Sequence, residues 1–320
     1  MRPFARRTFA FLAGAAFSAL AAFSPAGAQT VVRVGKAVPE AFSFVPLDIG
    51  TRKGFFKKRG LDVESIAFAG DAKMQQAAAA GGVEFMLGSG PALGFIAKGS
   101  PVKGIAAMAG PPLLLAIVVR PDGPRTVADL KDKKISVSTP GSLTYFLVSE
   151  TARRQGWGPK GIDIKPMGAM PGQIAAMKRG DIDGVITDIG NALNLEKIGE
   201  GRIIARFTDI KDFHIHVIFG TDKVIAENPA AIRAFLGGWF ESIAFMRANK
   251  DETVRIAAEV TDKDLEITAR VYDELMPMFS DDGKFDPKAL ALLSRSLVEL
   301  EILKTETDMT KLFTEAFLPK

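Results

Sequence analysis

The sequence predicts an α/β protein built from two similar lobes facing each other across a cleft, and three observations predict it. One stretch occurs twice, as GLDVESIAFAGDAKMQQAAAAGGVEFMLGSGPAL at 60–93 and as GIDIKPMGAMPGQIAAMKRGDIDGVITDIGNAL at 161–193. Each copy has the order of a βαβ unit: a short alternating apolar segment (Leu61, Val63; Ile162, Ile164), then a turn at Gly and an Ala/Met/Gln-rich helix. The helix stops at Gly81 or Gly180, and a second strand marked by Glu84 or Asp183 follows. The third observation is the break at Arg120–Pro124 (RPDGP), after which the same layout begins again. At the offset of 99 residues that equates Gly81 with Gly180, Ser89 falls on Asp188. Repeated βαβ halves form facing lobes, and facing lobes form a cleft.

The elements follow in order. Val31–Gly35 is a strand, and the loop KAVPEAFSF leads to a helix from about Pro46 to Lys58 that ends at Gly60. After the first repeat come a strand at Val102–Met108 and the run LLLAIVV, 113–119, which is continuously apolar, as a strand buried on both faces would be. The crossing between lobes is expected at Arg120–Pro124. Beyond it, Lys134–Ser138 is a strand, and TPGSLTYF opens a helix that ends near Gly156. After the second repeat, His214–Phe219 brings the chain back, and the remainder is helical. Asn228-Pro229 and Asp286-Pro287 each read as an N-cap followed by Pro at the first helical position. Ile232, Phe235, Leu236, Trp239, Phe240, Ile243 and Met246 form a stripe at helical spacing, expected to pack on lobe one as core.

The first 28 residues read as a secretory leader. Arg2, Arg6 and Arg7 precede an apolar run from Phe9 to Phe23, and Ala26-Gly27-Ala28 offers a cleavage site before Gln29. Arg6-Arg7 hints at twin-arginine export. The leader holds three Arg and no acid, so the mature chain carries 38 basic and 37 acidic residues and no electrostatic signal for nucleic acid or a membrane surface. The sequence has no cysteine, which excludes disulfides, Cys-ligated metals, thiol catalysis and a lipidated N-terminal Cys. An exported chain without an anchor is expected in the periplasm.

Enzyme motifs are absent: no nucleophile elbow, no phosphate loop with Lys-Ser/Thr, no zinc-protease helix. Gly88, Gly90 and Gly94 approximate a dinucleotide fingerprint, but the third Gly comes one place late and no acid stands about 20 residues on. His214 and His216 would share one face of a strand, an arrangement more often structural than metal-binding. No cofactor or metal is expected. The candidate site residues lie in loops after strands, where helix N-termini present free amides. Lobe one supplies Glu40 and Phe42, then Asp71, then Ser89 and Gly90. Lobe two supplies Thr139, Gly141, Ser142 and Thr144, and then Asp188. Small residues let backbone amides approach a ligand, and hydroxyls add donors of adjustable direction. Glu40, Asp71 and Asp188 could instead receive an amine or a heterocycle N–H, and Phe42 and Tyr145 could stack on a flat ligand. Each of these residues can equally be an ordinary cap, surface group or core residue.

KGFFKKRGLDVE (53–64), GDAKMQQAAAAGGVEFMLGSG (70–90), GSPVKGIAAM (99–108) and RGDIDGVI (179–186) together resemble the periplasmic solute-binding proteins of nitrate/sulfonate/taurine-type ABC importers. Proteins for thiamine pyrimidine precursors share the pattern. The resemblance implies the type II periplasmic-binding-protein fold with a discontinuous first lobe, here 29–119 and 217–320 around a second lobe at 120–216. It further implies hinge closure of a monomer on a small molecule and delivery to a permease with its ATPase. The binding loops it implies are those at Glu40–Phe42, Asp71, Ser89 and Thr139–Thr144. Taurine- and sulfonate-type members carry a Trp-Asp-Pro or similar element after the acidic strand of lobe two, where this chain has Thr187-Asp188-Ile189-Gly190. Sulfonates, aromatic carboxylates and pyrimidines stay open as ligands, and an enzyme or a sensor on the same fold are the competing readings.

Overall fold

The computed structural model describes residues 29–319 other than 114 and 159, so the leader lies outside the described residues. In chain order, the first lobe begins with β1 (Thr30–Lys36), α1 (Val45–Arg52), β2 (Leu61–Ala67), α2 (Asp71–Ala79), β3 (Phe85–Ser89), α3 (Leu93–Ala97) and β4 (Val102–Ala109). Then come β5 (Leu115–Val119), β6 (Lys134–Val137), α4 (Leu143–Arg154), β7 (Asp163–Pro166), α5 (Met170–Arg179), β8 (Gly184–Asp188), α6 (Ile189–Lys197) and β9 (Arg202–Arg206). The chain ends with β10 (His216–Thr221), α7 (Asp222–Glu227), α8 (Pro229–Ala248), α9 (Lys250–Thr261), α10 (Leu265–Leu275) and α11 (Pro287–Glu299).

These strands form two five-stranded mixed sheets of the same design, β2-β1-β3-β10-β4 and β7-β6-β8-β5-β9. In each, the two strands of one repeat copy flank, in parallel, the strand that precedes that copy (β1 or β6), and an antiparallel strand occupies the fourth place. That fourth strand is the one arriving directly from the other lobe: β5 enters the second sheet, and β10 re-enters the first. The expected two-lobed α/β architecture with a helical C-terminal part is present. The repeat is matched in register too, because α2 and α5 start 99 residues apart, and so do the last residues of β3 and β8.

The first crossing is not where the sequence suggested. β5 pairs with β8 and β9, so 115–119 belongs to lobe two and the chain crosses between the end of β4 and the start of β5. A continuous apolar run reports burial on both faces but not the sheet in which it is buried. Arg120–Pro124 is instead a turn inside lobe two, its Gly123 and Pro124 carbonyls accepting from Arg202 Nη2 at 3.1 and 3.0 Å. The return crossing occupies 207–215, just before β10, and is anchored where Phe213 stacks on Phe146 of α4 at 4.9 Å.

The helix expected to Lys58 ends at Arg52, because Gly54 takes φ +73° and turns the chain. The turn swings Phe56 inward, where it stacks on Phe235 of α8 at 5.2 Å, and Phe235 stacks in turn on Phe85 at 4.5 Å. The stripe on α8 is therefore core, as its spacing indicated. Asn228 caps α8 by accepting from the Ala231 amide at 3.0 Å, and Asp286 caps α11 at the Lys288 amide at 2.9 Å.

Candidate functional site

The ends of β1, β3, β6 and β8 open toward one cavity between the lobes, of about 90 Å³. Seven of the ten expected site residues line it: Glu40, Phe42, Asp71, Ser89, Ser142, Thr144 and Asp188. The doubled stretch thus forms facing walls, with Ser89 and Asp188 at equivalent strand ends.

Gly90, Thr139 and Gly141 do not line the cavity; they form seams. A Cβ on Gly90 would stand 1.8 Å from the His214 carbonyl oxygen of the return crossing. Thr139 packs against Gly70 of the opposite lobe, where a Cβ would meet its Oγ1 at 2.7 Å, and its Oγ1 lies 3.4 Å from the Ala72 amide. Gly141, at φ +77°, fits under Phe95 of lobe one. The expected stacking partner Tyr145 is not among the cavity-lining residues either. Its amide donates to Ser142 Oγ, and its ring packs against the core. Gly88, from the imperfect dinucleotide pattern, makes room for Asp71 Oδ1, 2.7 Å from where a Cβ would be.

The polar groups of the wall are mostly committed to one another. Asp71, 3% exposed, accepts from the Ser89 amide and hydroxyl, both at 2.9 Å, and so ties the start of α2 to the end of β3. Burial pushes the Asp71 carboxyl above the usual range, and the Ser89 donors pull it partly back. In lobe two the arrangement is exchanged: Met170 stands where Asp71 stands in the repeat, and the acid is at the strand end. Asp188 caps α6 by accepting from the Asn191 amide at 3.1 Å and side chain at 2.6 Å. Thr144 Oγ1 accepts from the Ser138 amide at 3.1 Å and lies 3.0 Å from Ser142 Oγ, the side chain that caps α4.

Sequence reasoning missed Ser43, Phe68, Gln173 and His216, all of which line the cavity. Gln173 joins Ser136 Oγ to the Gly168 carbonyl, each at 2.7 Å. Its signal was present as a Gln where the first repeat copy has Met74. The two histidines separate: His214 accepts from the Asp286 amide at 3.0 Å, whereas His216 lies in the cavity wall and its Nδ1 has no partner among the described residues. Among the described residues, no cluster of three or more potential ligands could hold a metal.

Burial pushes the His216 pKa down from 6.5 to about 3. A folded value below the ordinary one means that the neutral ring contributes stability above about pH 6.5, and that this is lost as pH falls toward 3. Asp71 and Glu40 carry the opposite sign, since burial raises both; their contribution is present at low pH and is lost on the way up. The melting temperature of His216→Gln is therefore expected to fall less steeply than that of the wild type from pH 7 to 4. Parallel slopes in calorimetry would exclude His216 as the titrating group.

The family model described as NMT1/THI5 like matches residues 41–253, about two thirds of the chain. A Brucella abortus protein named as a candidate binding protein is 26% identical over 228 residues, covering 66% of this chain and 66% of its own length. The alkanesulfonate-binding protein SsuA from Xanthomonas axonopodis pv. citri superposes with a TM-score of 0.75 at 16% identity, covering 89% of this chain and 96% of SsuA. The desulfurization enzyme DSZB superposes with a TM-score of 0.60 at 14% identity, covering 90% and 97% of the two chains. At such identities these likenesses speak for the fold, which is the two-lobed periplasmic-binding-protein fold, and the family rests on the match to its model. The chain belongs to the NMT1/THI5-like family.

Proposed function

We propose that the protein is the substrate-binding receptor of an ABC importer, capturing a small organic molecule between its lobes and presenting it to a permease served by an ATPase. One observation carries this reading: one cavity is walled by equivalent strand ends of two lobes that are joined, among the described residues, by two crossings, one between β4 and β5 and one between β9 and β10. A ligand touching both walls favours the closed form by its differential contacts there. The wall's committed polar groups support binding without turnover, since Asp71 is a strut, and Asp188 and Ser142 are caps. The leader read from the sequence supports a periplasmic location, and no helix among the described residues is long and apolar enough to cross a membrane.

The test is small-angle scattering and thermal unfolding of the mature protein, with and without the ligand it retains through purification. Native mass spectrometry identifies that ligand. Addition is expected to compact the protein and raise its melting temperature; a chemically altered ligand released on incubation would favour an enzyme instead.

A further inference from the structure

Glu40 differs from the other carboxylates of the cavity. Asp71 and Asp188 accept hydrogen bonds from Ser89 and Asn191, but no other residue donates to the Glu40 side chain among the described residues. It is half-buried beside the cavity, and it shares a small side pocket with Asp188 of the opposite lobe. An unpaired carboxylate in such a position is costly unless something arrives to pair with it.

The nearby cations do not pair with it. Lys36 is held by Asp48, Nζ to Oδ2 at 2.9 Å, and Lys263 Nζ donates to the Thr261 carbonyl at 3.0 Å. Among the described residues no Lys or Arg lines the main cavity; Lys263 borders the side pocket with one donor on Thr261, so its single charge leaves the two acids there with a net charge of −1. A second, independent observation points to a ligand: Ser43 Oγ and His216 Nδ1 are buried, belong to cavity-lining residues, and have no hydrogen-bond partner among the described residues. His216 is 9% exposed and supplies no positive charge to an anion, its pKa being near 3. The rest of the wall includes Phe42, Phe68, Leu143, Met170 and Met278, an apolar surface for the body of a molecule.

We propose that the cleft takes a small organic cation, an ammonium or amidinium head on a compact apolar body, with the head between Glu40 of lobe one and Asp188 of lobe two. This rests on the receptor reading and deepens it. A carboxylate has about four acceptor sites, so Asp188 can cap α6 and still accept from a ligand. Because the two acids belong to different lobes, a cation between them turns a repulsion across the closing cleft into a bridge. Burial, then the Asp188 charge, hold the Glu40 carboxyl above the usual range, the direction expected of an acid awaiting a counter-charge.

The experiment uses probes that share one body and differ in the head: benzamidine, benzylamine, benzyl alcohol, benzoate and benzenesulfonate, titrated calorimetrically into mature wild-type protein and Glu40→Gln. The cations are expected to bind tenfold or more tightly than the alcohol and the anions, and Glu40→Gln to lose at least that factor. Without ligand, Glu40→Gln is expected to melt about 2–4 °C higher than the wild type, because an unpaired carboxylate has been neutralised. A lower melting temperature for Glu40→Gln overturns the proposal whether or not any probe binds. Preferred binding of benzoate or benzenesulfonate, or an anionic ligand retained through purification, overturns it too, while leaving the receptor reading intact. The receptor reading fails separately, if the retained ligand neither compacts the protein nor raises its melting temperature.

Discussion

Gly90→Ala is expected to lower the melting temperature by about 10 °C or more, the largest stability effect of any single methyl group placed at the cleft. The new Cβ would lie 1.8 Å from the His214 carbonyl oxygen and 2.9 Å from its carbon. Both are backbone atoms, so no side-chain rotation relieves the clash. Either the end of β3 or the return crossing has to move by more than an ångström. That movement breaks the bond from the Gly90 amide to the Ile215 carbonyl, now 3.0 Å, and disturbs the His216–Ser89 register where β10 joins β3. Overpacking of a side-chain core costs about 1–3 kcal/mol because neighbours relax. A clash between two backbones belongs in the tail above about 4 kcal/mol, and each kcal/mol moves the midpoint of a protein of this size by about 2–4 °C. Gly94→Ala is the control, since its Cβ would meet only side-chain methyls, Leu297 Cδ2 at 3.3 Å and Ile302 Cγ2 at 3.5 Å. Calorimetry should find that variant within a few degrees of the wild type. A Gly90→Ala midpoint equally close would show that the crossing is free to shift.

Gly90 also shows where sequence reading stopped. The repeat at an offset of 99 residues was enough to place α2 opposite α5 and the end of β3 opposite the end of β8, because a βαβ unit leaves a local pattern of periods and stops. It was equally enough to bring Glu40, Phe42, Asp71, Ser89, Ser142, Thr144 and Asp188 to one cavity, since loops after parallel strands share one end of the sheet. Gly90, Thr139 and Gly141 have the same composition and lie in the same loops, yet they face the other lobe or its crossing. Small and hydroxylated residues suit a ligand wall and a close backbone approach alike, and only the relative position of the lobes separates the two. His216 and Met278 reach the cavity on the return strand and on the turn after α10. Their contribution depends on how the C-terminal third packs back onto lobe one, which no local period encodes. The run at 113–119 failed for the same reason, being readable as a buried strand but not as a member of a particular sheet.

Gly70→Ala tests closure itself and is expected to weaken ligand binding by a hundredfold or more. Gly70 precedes α2 at φ +102° and ψ 167°, a region that is essentially Gly-only, and no side chain caps the helix there. A Cβ at this position would lie 2.7 Å from both Oγ1 and Cγ2 of Thr139 in the opposite lobe, and 3.1 Å from Ser138 Cβ. The substitution therefore has two effects with different signatures. Backbone strain, about 1–3 kcal/mol, acts within lobe one whether the cleft is open or closed, and it appears in the melting temperature of the ligand-free protein. The wedge against Thr139 acts only when the lobes meet, so it appears in affinity and in ligand-dependent compaction. A differential cost of about 2.7 kcal/mol in the closed state corresponds to a hundredfold loss. Thr139→Gly separates the two contributions: combined with Gly70→Ala, it should restore much of the affinity and compaction but none of the lost melting temperature. Non-additivity of that kind is expected of residues in direct contact. If Gly70→Ala melted lower yet bound and compacted like the wild type, the contact between Gly70 and Thr139 would be incidental to closure. The seam residues would then be ordinary turn residues, and the coupling of ligand to lobe movement would have to run through the cavity wall alone.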